Sequence, residues 1–572
     1  MRAVAGFAIF ASAATAATAQ QAPPALSSAT GSDVTVVANV AARSPWKRAE
    51  TAHVVVTGKL GDAELAKVAI DLERLYGLLT RLYRHGDPHD ETAKLQVTLI
   101  ESRDRFHALG LDAGGDSYAA PFAGGYYYAP GDDGDVLAVV QADRDISTNT
   151  RRAASLTCDD VAQGGGAAED AMQGGVSCSH LTPNLPVRRA WRGELYGAFA
   201  EHFILTHVPA VYPRWYLDGI AALFSTVQVR GDGAVDYARP PMRYGDIVRA
   251  YGDVDVAAVL SGRYLDPPAQ SGGAPRGGAA VWTPYHAWLL AHYFLFSPLP
   301  AARSRQFAQY MAAVHDGAPL AQAATAFTDP GRLQRELNDY PARTLSYART
   351  ATPGAAIDPP LVTALSPAAG AAVEMRLAMP ARLAGPAAAQ ADWLAAVRAT
   401  TATPPYDAEA MLFAAEAACR GGRYDDCLAA AERVLTATPT DARAMGWQAE
   451  ALTGQAIAGA AADRAAMLAR ARAVAQRATE LDQGTPLAAL AWVWSYTAAG
   501  ERAPPAALAA LAHAVRSVPA APGPRLALAA ELIRQGRPDL GRRLLQVVAL
   551  GPYDTADRRT AQALLAGAAP TS

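Results

Sequence analysis

Short β-branched runs and helical periodicity alternate over residues 46–143. HVVVTG (53–58) and KLQVTLI (94–100) read as strands, as do GGYYYAP (124–130) and DVLAVVQ (135–141), the last two joined by the turn-forming GDDGD. Between the first two, AELAKVAIDLERLYGLLTRLY (63–83) sets apolar residues at helical spacing over roughly five turns. SRDRFHALG (102–110) reads as a short helix. This pattern predicts an α/β subdomain over 46–143. Residues 144–186 are rich in Gly and Asp without periodicity, which predicts a loop insertion. From 187 to 345 helices dominate, beginning with RRAWRGELYGAFAEHFILTH (188–207) and PRWYLDGIAALFST (213–226). WTPYHAWLLAHYFLF (282–296), SRQFAQYMAAVH (304–315) and GRLQRELNDYPAR (331–343) follow, and 231–277 is loop-like.

At 346–404 Pro, Ala and Thr take over, which predicts a linker with one possible strand, AAVEMRLAM (371–379). Residues 405–568 return to helical pairs. In 406–439 the small Ala415 and Cys427 stand where two antiparallel helices would touch, with Gly422 in the turn and Pro439 at the end. That segment resembles a tetratricopeptide repeat, whose period is ~34 residues, and 471–500 and 526–554 repeat the pattern with irregular spacing. The expected fold is α+β in the N-terminal half, a small mixed sheet plus a helical subdomain, and all-α helical repeats in the C-terminal half.

The start of the chain, MRAVAGFAIFASAATAATAQQAPP, has one Arg, a short apolar stretch and small residues ending at Ala17-Thr18-Ala19. This predicts a signal peptide over 1–19, a mobile leader over 20–45, and a periplasmic or secreted protein without stable membrane insertion after cleavage. A length of 572 residues implies several domains, and 51% hydrophobic with 18% charged residues is an ordinary globular balance. A formal net charge of -3 supplies no field to attract nucleic acid. The four Cys fall in two local pairs, Cys158 with Cys178 and Cys419 with Cys427, and an even count suits disulfides in an oxidising compartment. For Cys419 and Cys427, a pair of small unlinked core residues is the alternative.

ELYGAFAEHFILTHVPAVYPRWYLDGIAALFST (194–226) carries the candidate chemistry. Through Tyr212-Pro213-Arg214-Trp215 and Asp218-Gly219-Ile220-Ala221 it resembles the peptidase MA-like, or gluzincin, zinc metallopeptidases. In that group His-Glu-x-x-His on one helix is followed by a W-x-x-E-G-x-A-E helix. The chemistry needs two imidazoles one turn apart, a carboxylate ligand from the next helix, and a Glu base. Alignment on 212–219 puts these roles at Gly197, Glu201, Asp218 and Ala198. Gly197 has no ligating atom, and Ala198 cannot accept a proton from a metal-bound water. His202 and His207, five apart, are turned about 140° from each other on a helix and do not readily meet at one ion.

The resemblance implies a cleft between the α/β and helical units, with an edge strand at 124–129 that pairs with extended peptide. Tyr126, Tyr128, Trp215 and Tyr216 are its aromatic candidates, the alternative being that they are core. The expectation is a non-catalytic pseudo-peptidase, without metal or cofactor, that binds a protein or extended peptide through its cleft and its repeat surface. The competing expectation is an active zinc-type metallopeptidase with atypical ligands among Glu201, His202, His207 and Asp218.

Overall fold

A computed structural model of the chain describes residues 44–83, 93–111, 126–132, 134–142, 144–146, 187–241, 253–265, 284–350, 357–402, 406–459 and 461–567. The expected signal peptide, residues 20–43 of the leader, Cys158 and Cys178 lie outside the described residues.

Six strands form the main sheet: β1 (Lys47–Glu50), β2 (Val54–Gly58), β3 (Leu95–Ile100), β4 (Tyr126–Ala129), β5 (Val136–Val140) and β11 (Val362–Ala364). Their order is β11-β1-β2-β3-β5-β4. β2, β3 and β5 run parallel, whereas β11, β1 and β4 pair antiparallel, so the sheet is mixed. The interior strand β5 reads VLAVV because both of its faces are covered. Leu137 and Val139 point into the core shared with α1 (Asp62–Tyr83), while Ala138 and Val140 join a second core with Trp46, Phe106 and Leu377. α1 buries Leu65, Val68, Leu72, Leu75 and Leu79, the spacing of one helical stripe. α2 (Arg103–Ala108) starts where the Ser102 hydroxyl accepts from the Arg105 amide at 3.2 Å.

β6 (Arg144–Ile146) and β7 (Val187–Arg189) pair antiparallel at the two ends of the Gly-rich insertion. β8 (Gln228–Val229), β9 (Val235–Tyr237) and β10 (Ala348–Arg349) make a small sheet ordered β10-β9-β8. The helical subdomain holds α3 (Trp191–His207), α4 (Arg214–Phe224), α5 (Val256–Leu260) and α6 (Pro284–Phe296). It continues with α7 (Ala301–His315), α8 (Leu320–Ala323) and α9 (Pro330–Asp339).

The expected linker is a correction. Residues 346–404 contain β10, β11 and two helices, α10 (Pro367–Leu383) and α11 (Ala387–Thr401), so the strand expected at 371–379 is helical. Ser366 caps α10 by accepting from the Ala369 amide at 3.0 Å, Pro367 sits in the first turn, and Ala, Met, Leu, Glu and Arg favour helix over strand. Leu377 and Ala378 of α10 pack on the main sheet, so the first helix of the C-terminal half completes the core of the N-terminal half.

Further helices follow: α12 (Ala408–Arg420), α13 (Tyr424–Ala437), α14 (Ala442–Ala458), α15 (Ala461–Leu481) and α16 (Pro486–Thr497), then α17 (Pro505–Ser517), α18 (Pro522–Arg534), α19 (Pro538–Ala549) and α20 (Ala556–Leu565). Neighbouring helices pack in sequence order, and α10, α12, α14, α16, α18 and α20 also pack in succession. That nearest-neighbour layering is a helical-repeat stack that begins at α10. Cys419 and Cys427 form a disulfide between α12 and α13, across a turn in which Gly422 adopts φ +69°. A loop of sequence separation 8 contributes about 2.5 kcal/mol in the chain-entropy description.

Candidate functional site

α3 and α4 carry the four aligned positions, Gly197, Ala198, Glu201 and Asp218, and both are buried on nearly all sides. Twelve residues of α3 and ten of α4 are buried, which is why neither helix shows a clean polar face. The two helices approach through glycine. A Cβ at Gly193 would stand 2.6 Å from the Ser225 carbonyl oxygen, and one at Gly197 would stand 2.4 Å from that of Ala221. Gly197 therefore occupies a backbone-to-backbone contact with no room for an imidazole. Ala198, where a Glu base would stand, is 1% exposed and packs in the core.

Glu201 is 1% exposed and fully engaged. The Tyr126 hydroxyl of β4 donates to its Oε2 at 2.8 Å, and the Tyr553 hydroxyl donates to its Oε1. Tyr553 comes from the turn between α19 and α20, so the C-terminal repeats reach the Glu201 carboxylate. One turn into α4, Arg214 Nε donates to Asp218 Oδ1 at 2.9 Å, and the same guanidinium lies 4.3 Å from the centre of the Tyr553 ring. The network thus holds two carboxyl groups, one guanidinium and two phenols.

Charge balance explains its titration. Burial pushes the Glu201 carboxyl from an ordinary 4.5 up to about 7, against the lowering effects of the Tyr553 hydrogen bond, the Arg214 charge and the Tyr126 hydrogen bond. Burial works against the Arg214 charge, yet Tyr553, Asp218 and Glu201 together raise its pKa. Burial is also the main reason that the Tyr126 and Tyr553 phenols lie well above their usual range, so both are donors at neutral pH. One guanidinium neutralises one carboxylate, Asp218, and Glu201 is the group whose proton is in play.

His202 is committed elsewhere. Its Nδ1 lies 2.8 Å from Asp135 Oδ2, which also accepts from Tyr128 at 2.7 Å and Thr206 at 3.2 Å. His207 packs its ring against Tyr76 and Phe203. Among the described residues, no three His, Cys, Asp or Glu side chains converge as metal ligands. A zinc site needs at least three such ligands. The residues present thus do not fit a zinc ion: the aligned positions offer two carboxylates, Glu201 and Asp218, without an imidazole, and both already bond to phenol or guanidinium donors.

β4 does lie at an edge of the main sheet, but the four aromatic candidates do not line an open cleft. Tyr126, Tyr128, Trp215 and Tyr216 are 3%, 1%, 0% and 7% exposed, respectively. Trp215 Nε1 donates to Tyr310 at 3.0 Å, and Tyr216 stacks on Tyr212. All four are core residues, the alternative open to them in the sequence. Sequence reasoning missed Arg214 as Asp218's partner, although its i, i+4 spacing is a readable signal. It also missed Tyr553, for which no local pattern exists.

A second concave feature belongs to the repeats. A cavity of about 510 Å³ is lined by Arg420 of α12, Glu450 of α14, Leu490 and Trp494 of α16, and Arg534 of α18. Asp132, from the turn between β4 and β5, reaches its rim and pairs with Arg420 at 3.3 Å.

No family model and no curated protein matches the chain. Among solved structures it is similar to a thermophilic TPR (tetratricopeptide-repeat) protein of Thermus thermophilus, at 23% identity and a TM-score of 0.27, over 31% of this chain and 92% of that one. The helical-repeat description of this chain rests on its own helix pairing.

Proposed function

We propose that the chain is an exported, non-catalytic binding scaffold whose peptidase-like front half is closed by its own C-terminal repeats, and whose repeat cavity takes a protein partner. The observation that carries this reading is the cavity of about 510 Å³, to which α12, α14, α16 and α18 each contribute side chains. It combines a half-buried aromatic anchor, Trp494, with the charged Arg420, Glu450 and Arg534, the mixture typical of protein-binding hot spots. The pseudo-peptidase element is supported by the fate of the four aligned positions: Gly197 is filled by backbone, Ala198 is in the core, Glu201 is bonded by phenols and Asp218 by Arg214. Placement in the periplasm is supported by the signal-like start of the sequence and by the Cys419–Cys427 disulfide. Among the described residues, no helix is long and apolar enough to cross a membrane.

The test is site-specific photo-crosslinking in cells, with a benzophenone side chain at position 494 or at position 477. Arg477 lies on α15, and its side chain is 58% exposed. A discrete protein adduct from position 494 and none from position 477 is expected. Adducts of equal yield from both positions, or none from 494, contradict the assignment of the cavity.

A further inference from the structure

A further concavity belongs neither to the peptidase-like positions nor to the repeats. It measures about 1420 Å³ and lies between the start of α3, the end of α4, β8 and α6. Its apolar lining includes Val227, Val229, Pro240, Tyr285 and Trp288. Its charged lining is asymmetric in exposure. The side chains of Lys67, Arg230, Arg239 and Arg192 are 57%, 44%, 32% and 28% exposed. The carboxylates that answer them are sunk. Asp71 is 1% exposed and faces Lys67, Arg74 and Arg192. Asp236 is 0% exposed and faces Arg230, Arg239 and Arg349.

Each buried carboxylate therefore meets three cations, and the four cations of the lining outnumber the two acids beside them that reach solvent, Asp232 and Glu64. Glu64, 49% exposed, pairs with Arg192 at 3.2 Å, Glu194 is buried, and the exposed Asp232 accepts from the Ala234 amide at 3.0 Å. A second observation is backbone. β8 pairs with β9 on one side, and among the described residues no strand pairs with its other side, while Gln228 and Val229 line the cavity. An unpaired strand edge beside a pocket can accept an added strand through main-chain hydrogen bonds. The volume exceeds the roughly 300–1,000 Å³ of small-molecule sites, so the occupant is longer than one metabolite.

We propose that this cavity binds an acidic peptide segment in extended conformation, which adds to β8 and sets its carboxylates against Lys67, Arg192, Arg230 and Arg239. The apolar floor with Val229, Tyr285 and Trp288 takes the alternate side chains, since neighbours along a strand point to opposite faces. The site is independent of the repeat cavity, and either can fail without the other.

Fluorescence anisotropy on the full chain tests this with the labelled peptide Ala-Glu-Val-Asp-Val-Glu-Ala and its counterpart carrying Gln and Asn in place of Glu and Asp. The acidic peptide is expected to bind at least tenfold more tightly, with affinity falling as salt rises. Lys67→Gln and Arg230→Gln, both at the solvent-facing rim, should each weaken binding roughly two- to fivefold, the range for half-exposed ion pairs. Together they should weaken it about tenfold, while Arg477→Gln on α15 leaves it unchanged. Equal affinity for the two peptides, no binding of either, or indifference of the acidic peptide to the double substitution would each overturn the proposal.

Discussion

Gly197→Ala is expected to lower stability by about 2 kcal/mol, although helix propensity alone favours Ala by about 1 kcal/mol. The opposing effect is the Ala221 carbonyl oxygen, 2.4 Å from the new methyl, with the Ala221 carbonyl carbon at 3.1 Å. Both atoms are backbone, so no rotamer change relieves them, and overpacking of this kind costs typically about 1–3 kcal/mol or more. Gly197→His, which restores the aligned ligand, is expected to cost still more and to bind no metal. Urea unfolding of the full chain measures the effect. An Ala variant more stable than the parent would mean that α3 and α4 do not touch at Gly197.

Tyr553→Ala is expected to lose about 3–5 kcal/mol, because it empties a buried aromatic site and leaves Glu201 with one donor fewer. Tyr553→Phe isolates the hydroxyl, and its signature is in pH. Glu201 titrates at about 7 in the fold, against an ordinary 4.5, so between those values the folded state holds more of its proton than the unfolded state does. Stability from this group is therefore full below about 4.5 and declines as pH rises, on the order of 3 kcal/mol in all by about 7. The Tyr553 hydrogen bond lowers the Glu201 pKa, so its removal in Tyr553→Phe should extend the decline to higher pH. Stability profiles of parent and variant from about pH 4 to 9 read this directly. A variant profile that ends at the same pH as the parent's contradicts the bond.

The sheet and the motif helices were legible for reasons specific to their residues. VVVTG, LQVTLI and VLAVV are β-branched or apolar almost throughout, and α1 keeps a single stripe from Leu65 to Leu79. β1 was invisible because KRAE has no apolar alternation, and β11 because VTA is three residues long; pairing with β2 and with each other makes them strands. The Pro- and Ala-rich 346–404 read as linker because composition outweighed the cap at Ser366 and the run of helix formers behind it. At the site, the lack of a ligating or basic side chain at Gly197 and Ala198 is read directly from the sequence. What fills the space is not, since Tyr553 lies 352 residues from Glu201 and no local periodicity links them.

These points bear on the proposal made above, that this is a non-catalytic binding protein in which backbone and Tyr553 occupy the positions that the peptidase resemblance assigns to ligands. The most direct measurement is the metal content of purified full-length protein after incubation with zinc and gel filtration, with hydrolysis of fluorescein-labelled casein followed in parallel. The account predicts neither stoichiometric zinc nor chelator-sensitive cleavage. One zinc per chain held between α3 and Asp218, with cleavage that a chelator abolishes, would contradict it.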